Sequence, residues 1–284
     1  MSPRRKRDAT YQDCPPCQGA PTMPREPSMR RSPMALLSEV LNVKTKDGEM
    51  PVFTYGHKDD QKRPAVIVIQ EIFGVNRNTQ AIAQEFRDEG FVTAAPDLFY
   101  RGGPVKQIPY TDFDSGRAQA GQLTEERIVN DLNAVVEYLQ GRPDVQGDKI
   151  AITGYCFGGR VAFIAAAKVK GIKAAAVYYG GGIVRNPAAP GAPVPLDYAK
   201  GVKAPIIGLF GNLDQNPSPD DVTKLEQTLK QAGKTIEVHR YDGAGHGFMC
   251  DDRGSYNQAA AHDAWPKTVA FFKKHLGVGA VAAG

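Results

Sequence analysis

The sequence has few cysteines, no long apolar run and, after its first 35 residues, no excess of either charge. Four cysteines in 284 residues are too few for a disulfide scaffold, so we expect a reducing, cytoplasmic location. No apolar run reaches the length needed to cross a membrane, so no membrane partner is expected. Of 35 basic and 31 acidic side chains, seven and three lie in residues 1–35, which leaves 28 of each sign. This balance offers no basic surface, and no nucleic-acid partner is expected.

Residues 1–35 combine proline with scattered charge and lack apolar periodicity. They hold seven of the 21 prolines, and such a segment buries too little apolar surface to order itself, so we predict a disordered tail. Cys14 and Cys17 have CxxC spacing, but no second pair of ligands is nearby, and we interpret them as two free thiols. Ordered pattern begins at "MALLSEVLNV", and we hypothesise that the working protein starts at Met34.

Strands and helices are predicted to alternate over residues 36–284, which we interpret as one domain. The pattern predicts a hairpin over 37–57 and further strands at 64–71, 91–98, 149–155, 172–180, 204–211 and 235–243. It predicts helices at 79–90, after Thr124, at 159–169, after Ser218 and from about 255 to 275. Residues 99–122 are predicted to be irregular. This order indicates an α/β fold, a mainly parallel sheet with helices on both faces.

A cysteine, an acid and a histidine follow successive predicted strands, where the site of an open α/β sheet lies. Cys156 stands in "GYCFGGR" at a strand-to-helix turn, where small residues allow a sharp bend and a helix N-terminus favours the thiolate. An inert buried cysteine is the alternative reading. His246 lies in a glycine-rich loop and suits a general base, and Asp214 could orient it. The order Cys, Asp, His is that of α/β-hydrolase triads.

Five motifs together carry a resemblance to a known family. They are "QEIFG", "PDLFYR", "GYCFGGR", "GNLDQNPSPDD" and "GAGHGF". The chain resembles the dienelactone hydrolases, also called carboxymethylenebutenolidases, over roughly residues 38–276. The resemblance implies an α/β-hydrolase fold and hydrolysis of an enol-lactone to an oxo-acid such as maleylacetate, in the degradation of aromatic compounds. It implies no metal and no cofactor.

The resemblance also implies a role for each matching residue. Cys156 would be the nucleophile, His246 the base and acid, and Asp214 its partner. Glu71 would contact the resting thiol and help to form the thiolate. The further implied residues are the backbone N–H donors of the oxyanion hole, Ile72 and Phe157, and the two arginines for a substrate carboxylate, Arg101 and Arg253.

Two other functions stay open at this point. One is a general carboxylesterase or thioesterase of the same fold, because the pocket segments 99–122 and 183–203 leave the substrate undefined. The other is a non-catalytic redox-sensing thiol protein, in which Cys250 would serve as the resolving thiol for Cys156. We expect the partner to be a small, anionic ester or lactone, and the sequence does not predict an oligomeric state.

Overall fold

The structure, a computed structural model, describes residues 36–103, 107–186 and 191–278. The predictions made for the tail, for Cys14 and Cys17 and for a start at Met34 lie outside these residues.

Eight strands form one sheet. Their bounds are β1 (Leu36–Thr45), β2 (Gly48–His57), β3 (Arg63–Ile69), β4 (Val92–Pro96), β5 (Val145–Tyr155), β6 (Ile172–Tyr178), β7 (Ile206–Gly211) and β8 (Ile236–Tyr241). The spatial order is β1-β2-β4-β3-β5-β6-β7-β8. The pairs β1–β2 and β2–β4 are antiparallel, and all other neighbours are parallel. The predicted mainly parallel sheet is confirmed.

In the described part of the chain, six α-helices cover the sheet. They are α1 (Arg77–Asp88), α2 (Phe113–Gly121), α3 (Glu125–Gly141), α4 (Phe157–Lys168), α5 (Pro219–Gln231) and α6 (Gln258–His275), and short 3₁₀ turns occupy Tyr100–Gly102 and Pro195–Gly201. Two apolar clusters fill the space between helices and sheet. One contains side chains of α3, α4 and α5, and the other contains side chains of α1 and α6.

The central strands have long apolar runs because both of their faces are buried there. In β3, Ile67 and Ile69 belong to the first cluster, whereas Val66 and Val68 belong to the second. Alternate residues of a strand point to opposite faces, so a strand between two helical layers needs apolar residues at every position. This packing holds the carboxyl ends of β3, β5, β7 and β8 at one edge of the sheet.

The structure departs from the predicted elements in three places. The segment predicted to be irregular contains α2, whose first turn is capped by the Asp112 carboxylate accepting from the Ser115 N–H. Strand β5 begins at Val145, before its apolar run starts at Ile150. Helix α6 begins at Gln258, because the Asn257 side chain caps it by accepting from the Ala260 N–H.

Candidate active site

Cys156 stands on a sharp turn between β5 and α4. Its backbone has φ 58° and ψ −117°, a region that non-glycine residues rarely adopt. Two glycines let the chain make this turn. A Cβ on Gly154 would overlap the Gly158 carbonyl, and a Cβ on Gly158 would lie 2.5 Å from the carbonyl oxygen of Gln70. The turn therefore presents the Cys156 side chain above the sheet, at the N-terminus of α4.

His246 and Asp214 form a hydrogen-bonded pair. The Nδ1–H of His246 donates to Oδ2 of Asp214 at 2.8 Å. The Asp214 side chain is buried, and its Oδ1 accepts from the backbone N–H of Asn216 at 2.8 Å. The Tyr179 ring meets the imidazole in an edge arrangement, with centroids 5.1 Å apart. Asp214 and Tyr179 thus fix the tautomer and the plane of the imidazole, which leaves Nε2 for proton transfer.

The charge of Cys156 and the Asp214 carboxylate determine the protonation of His246. Burial disfavours the imidazolium, but the charge of Cys156 and the hydrogen bonds to Asp214 and Cys156 outweigh it. Together they hold the pKa of His246 well above its ordinary value. The site therefore favours the charged form of the His246 imidazole beside the Cys156 side chain, an arrangement in which a cysteine can act as a nucleophile.

Glu71 is held by an arginine. Arg253 Nη1 donates to Glu71 Oε2 at 3.0 Å; the Glu71 side chain is buried and that of Arg253 is partly buried. The other oxygen, Oε1, is buried and has no hydrogen-bond partner within the residues that the structure describes. The expected contact between Glu71 and the resting thiol is thus replaced, in this arrangement, by an ion pair with Arg253.

Arg101 lies elsewhere. Its guanidinium donates to both oxygens of Asp131, at 2.8 and 2.9 Å, and to Asp47 at 2.6 Å. It lines a separate small cavity with Asp47 and Arg127. This placement argues against the expected role for Arg101 in binding a substrate carboxylate, because its donors already serve two carboxylates. The sequence predicts that Arg101 follows a strand end. It does not predict which way the long side chain turns.

One cavity of about 750 Å³ contains most of the predicted site. Six of the eight predicted residues line it, namely Ile72, Cys156, Phe157, Asp214, His246 and Arg253. Phe157 is the first residue of α4, so its backbone N–H has no acceptor within the helix and is free for an oxyanion. The cavity can therefore hold a carbonyl group between a thiol, a base and backbone N–H donors, which is the arrangement for acyl transfer.

Sequence reasoning missed several side chains that line the cavity, three of which are on helices. Phe113 and Arg117 lie on α2, and Arg160 lies on α4. The sequence did not predict the two residues on α2, because that helix has no apolar stripe. Arg160 could have been found, since it follows Cys156 by four positions, and residues four apart on a helix share a face.

Cys250 is buried, and its thiol donates to the Tyr110 hydroxyl at 3.2 Å. In the part of the chain that the structure covers, no group of three His, Cys, Asp or Glu side chains could hold a metal ion. Over the same residues, no helix is both long and apolar enough to span a membrane.

Comparisons with known proteins show the family to which the chain belongs. The sequence profile of the dienelactone hydrolase family matches residues 50–276. A protein of Synechocystis named "putative carboxymethylenebutenolidase" is 37% identical over 216 residues, covering 75% of this chain and 87% of its own. One of the same name from Escherichia coli K12 is 31% identical over 245 residues, covering 86% and 89%. A crystal structure titled "putative dienelactone hydrolase" from Klebsiella pneumoniae has a TM-score of 0.77 and 30% identity, covering 84% of this chain and 99% of its own.

Proposed function

This chain is a hydrolase of the dienelactone hydrolase family, and from that premise we propose that it opens a small enol-lactone through the thiol of Cys156. The observation that carries the proposal is the cysteine turn facing the His246–Asp214 pair in one cavity. An inert buried cysteine would not need the strained backbone of Cys156. It would also not need a neighbouring histidine whose pKa is raised by the charge of the cysteine.

The reaction begins with attack by the Cys156 thiolate on the lactone carbonyl. The carbonyl oxygen takes up the electron pair, and the backbone N–H groups of Phe157 and Ile72 stabilise its negative charge. As the carbonyl re-forms, the bond to the ring oxygen breaks and the ring oxygen leaves as an enolate. A proton from the His246 imidazolium converts the enolate to the oxo form, which leaves a neutral imidazole and a thioester on Cys156.

Hydrolysis of the thioester completes the cycle. Neutral His246 accepts a proton from water as the water oxygen attacks the thioester carbonyl. The tetrahedral intermediate collapses, and the Cys156 thiolate leaves. The acid product then carries a new carboxylate, formed from the lactone carbonyl. Asp214 stabilises the imidazolium that forms in this step. Glu71 neutralises Arg253 at the cavity wall and acts on the thiol only if substrate displaces that ion pair.

Two substitutions test the nucleophile. We expect Cys156→Ala to lose at least about 10³-fold in kcat/KM on dienelactone and on 4-nitrophenyl acetate, because no other group replaces the attacking sulfur. Cys250→Ala is the matched control, and it should stay within about threefold of the native enzyme. Retention of full activity by Cys156→Ala would contradict the proposal.

A general esterase or thioesterase is the second candidate. Apolar side chains of Ile72, Phe73 and Phe113 line the cavity beside the thiol, and such a wall also suits a neutral acyl group. Hydrolysis of neutral 4-nitrophenyl esters at a higher kcat/KM than dienelactone would favour this candidate. Neither enzyme activity is expected of a redox sensor, in which peroxide would instead link Cys156 to Cys250.

A further inference from the structure

Arg160 lies on α4 one helical turn beyond Cys156. Its backbone N–H donates to the Cys156 carbonyl at 3.3 Å, and its side chain lines the same cavity as the thiol. The stem of the side chain runs along Gly182, where a Cβ would lie 3.4 Å from Arg160 Cδ and Nη1. Since α4 is packed against the sheet, this arginine is held in a fixed position relative to the nucleophile.

Among the residues that the structure describes, no carboxylate pairs with the Arg160 side chain. Within the described ranges its side chain forms no ion pair and no hydrogen bond, and its Nε is buried without a partner. Glu125, an acid near enough to act on it, pairs with Lys168 and accepts from the Tyr198 hydroxyl. The internal residues outside the described ranges, 104–106 and 187–190, include no Asp or Glu.

The other charges of the cavity have partners. Glu71 is paired with Arg253, and Asp214 with His246. Arg117 is 72% exposed, where water compensates its charge, and it lies 3.7 Å from Asp114. Burial lowers the pKa of Arg160, which is the cost of holding a charge without a counterion. A buried guanidinium without a counterion is therefore stabilised most by an anionic group of a bound ligand.

We propose that Arg160, and not Arg101, binds the carboxylate of an anionic substrate and so determines the specificity of this enzyme. A planar fork of donors fits a carboxylate through two parallel hydrogen bonds. The substrate class is then an ester or lactone whose acyl part ends in a carboxylate. The inference rests on the proposed function, because Cys156 supplies the chemistry at the other end of the same cavity.

A pair of esters that differ only in charge tests this role. Mono-4-nitrophenyl glutarate carries a carboxylate, and 4-nitrophenyl valerate has a chain of equal length without one. In Arg160→Met, which keeps the apolar stem, the ratio of kcat/KM for the anionic ester to that for the neutral ester should fall by about 10- to 100-fold. The loss should lie mainly in KM, and Arg160→Lys should recover part of the ratio.

Arg127→Met is the matched control, since Arg127 is also on a helix but lies outside the cavity beside Asp47. It should leave the ratio unchanged. Thermal unfolding of each variant checks folding, and Arg160→Gln serves if Arg160→Met unfolds. An unchanged ratio in every folded Arg160 variant would overturn the inference, and so would a fall in Arg117→Met that Arg160→Met does not show.

A binding measurement separates this inference from the proposed function. Glutarate should protect the Cys156 thiol from iodoacetamide, and glutaramide, which is neutral, should protect it far less. Arg160→Met should raise the half-protecting glutarate concentration by at least about tenfold. If the native enzyme hydrolyses neither these esters nor dienelactone but this shift is seen, the proposed function fails and the anion site stands. If hydrolysis is seen without the shift, the anion site fails and the proposed function stands.

Discussion

At the scale of single residues, each acid of the site holds one cation. Asp214 holds the imidazole of His246, and Glu71 holds the guanidinium of Arg253. Because the two carboxylates are engaged separately, Cys156 shares its cavity with an imidazole whose pKa is raised. An imidazolium in that position would stabilise the attacking thiolate that the proposed function requires.

The proton on His246 should make the stability of the protein depend on pH. The folded state binds this proton more tightly than the unfolded chain, where the imidazole has its ordinary pKa of about 6.5. The stabilisation is complete below that pH and is lost as the pH rises through the higher folded-state value. The free energy of unfolding in urea, measured for the native protein and His246→Gln, should differ most at and below about pH 6, and the difference should shrink as the pH rises. A difference that grows with pH would contradict the assignment.

At the scale of elements, Arg101 links three parts of the chain through ion pairs. It follows β4 in the first 3₁₀ turn and binds Asp131 of α3 and Asp47 of the β1–β2 turn. Asp131 is completely buried, and the Tyr100 hydroxyl also donates to it at 3.3 Å. The arginine that was expected to bind substrate thus stabilises the packing of α3 against the sheet.

Removal of this arginine should cost stability rather than specificity. We expect Arg101→Met to lower the free energy of unfolding by about 3–5 kcal/mol, because it leaves the Asp131 charge buried and unpaired. The double variant Arg101→Met with Asp131→Asn should recover much of that loss. Urea denaturation measures both. If Arg101→Met instead loses activity selectively on the anionic ester at unchanged stability, that result would support a role for Arg101 in binding substrate.

The fold was largely predictable because strands buried on both faces leave long apolar runs in the sequence. The elements β3, β5, β6 and β7 were all found in this way. Helix α2 was not, since among its residues only Gly116 is buried, against Ile72, and no apolar stripe results.

The candidate site was predictable where the backbone alone fixes a position. Cys156, Asp214 and His246 follow strand ends, and the sheet brings strand ends together. Arginine side chains are long, and their direction depends on charges far away in the sequence. Arg101 was misplaced because its partner Asp131 lies on another element, and Arg160 was overlooked within an ordinary helix. The catalytic roles themselves stay predictions until the variants are measured.

At the scale of the whole molecule, all eight strands and the residues matched by the family profile lie after Met34. We predict that a chain beginning at Met34 keeps the urea midpoint and the kcat/KM of the full chain. A chain beginning at Gly48 is the control. It lacks β1, whose ten residues pair with β2, so it exposes the unpaired edge of β2 and should unfold earlier and aggregate. Loss of activity on removal of residues 1–33 would show that the tail belongs to the working enzyme.

The order of the strands along the chain has a consequence for biosynthesis. The turn that carries Cys156 is complete once β5 and α4 have left the ribosome, but Asp214 and His246 follow β7 and β8, the last strands to emerge. In a nascent chain, Cys156 is therefore present before His246 and Asp214 are. Under the proposed function, the thiol gains its base, and the carboxylate that orients that base, only when the C-terminal part of the sheet has docked.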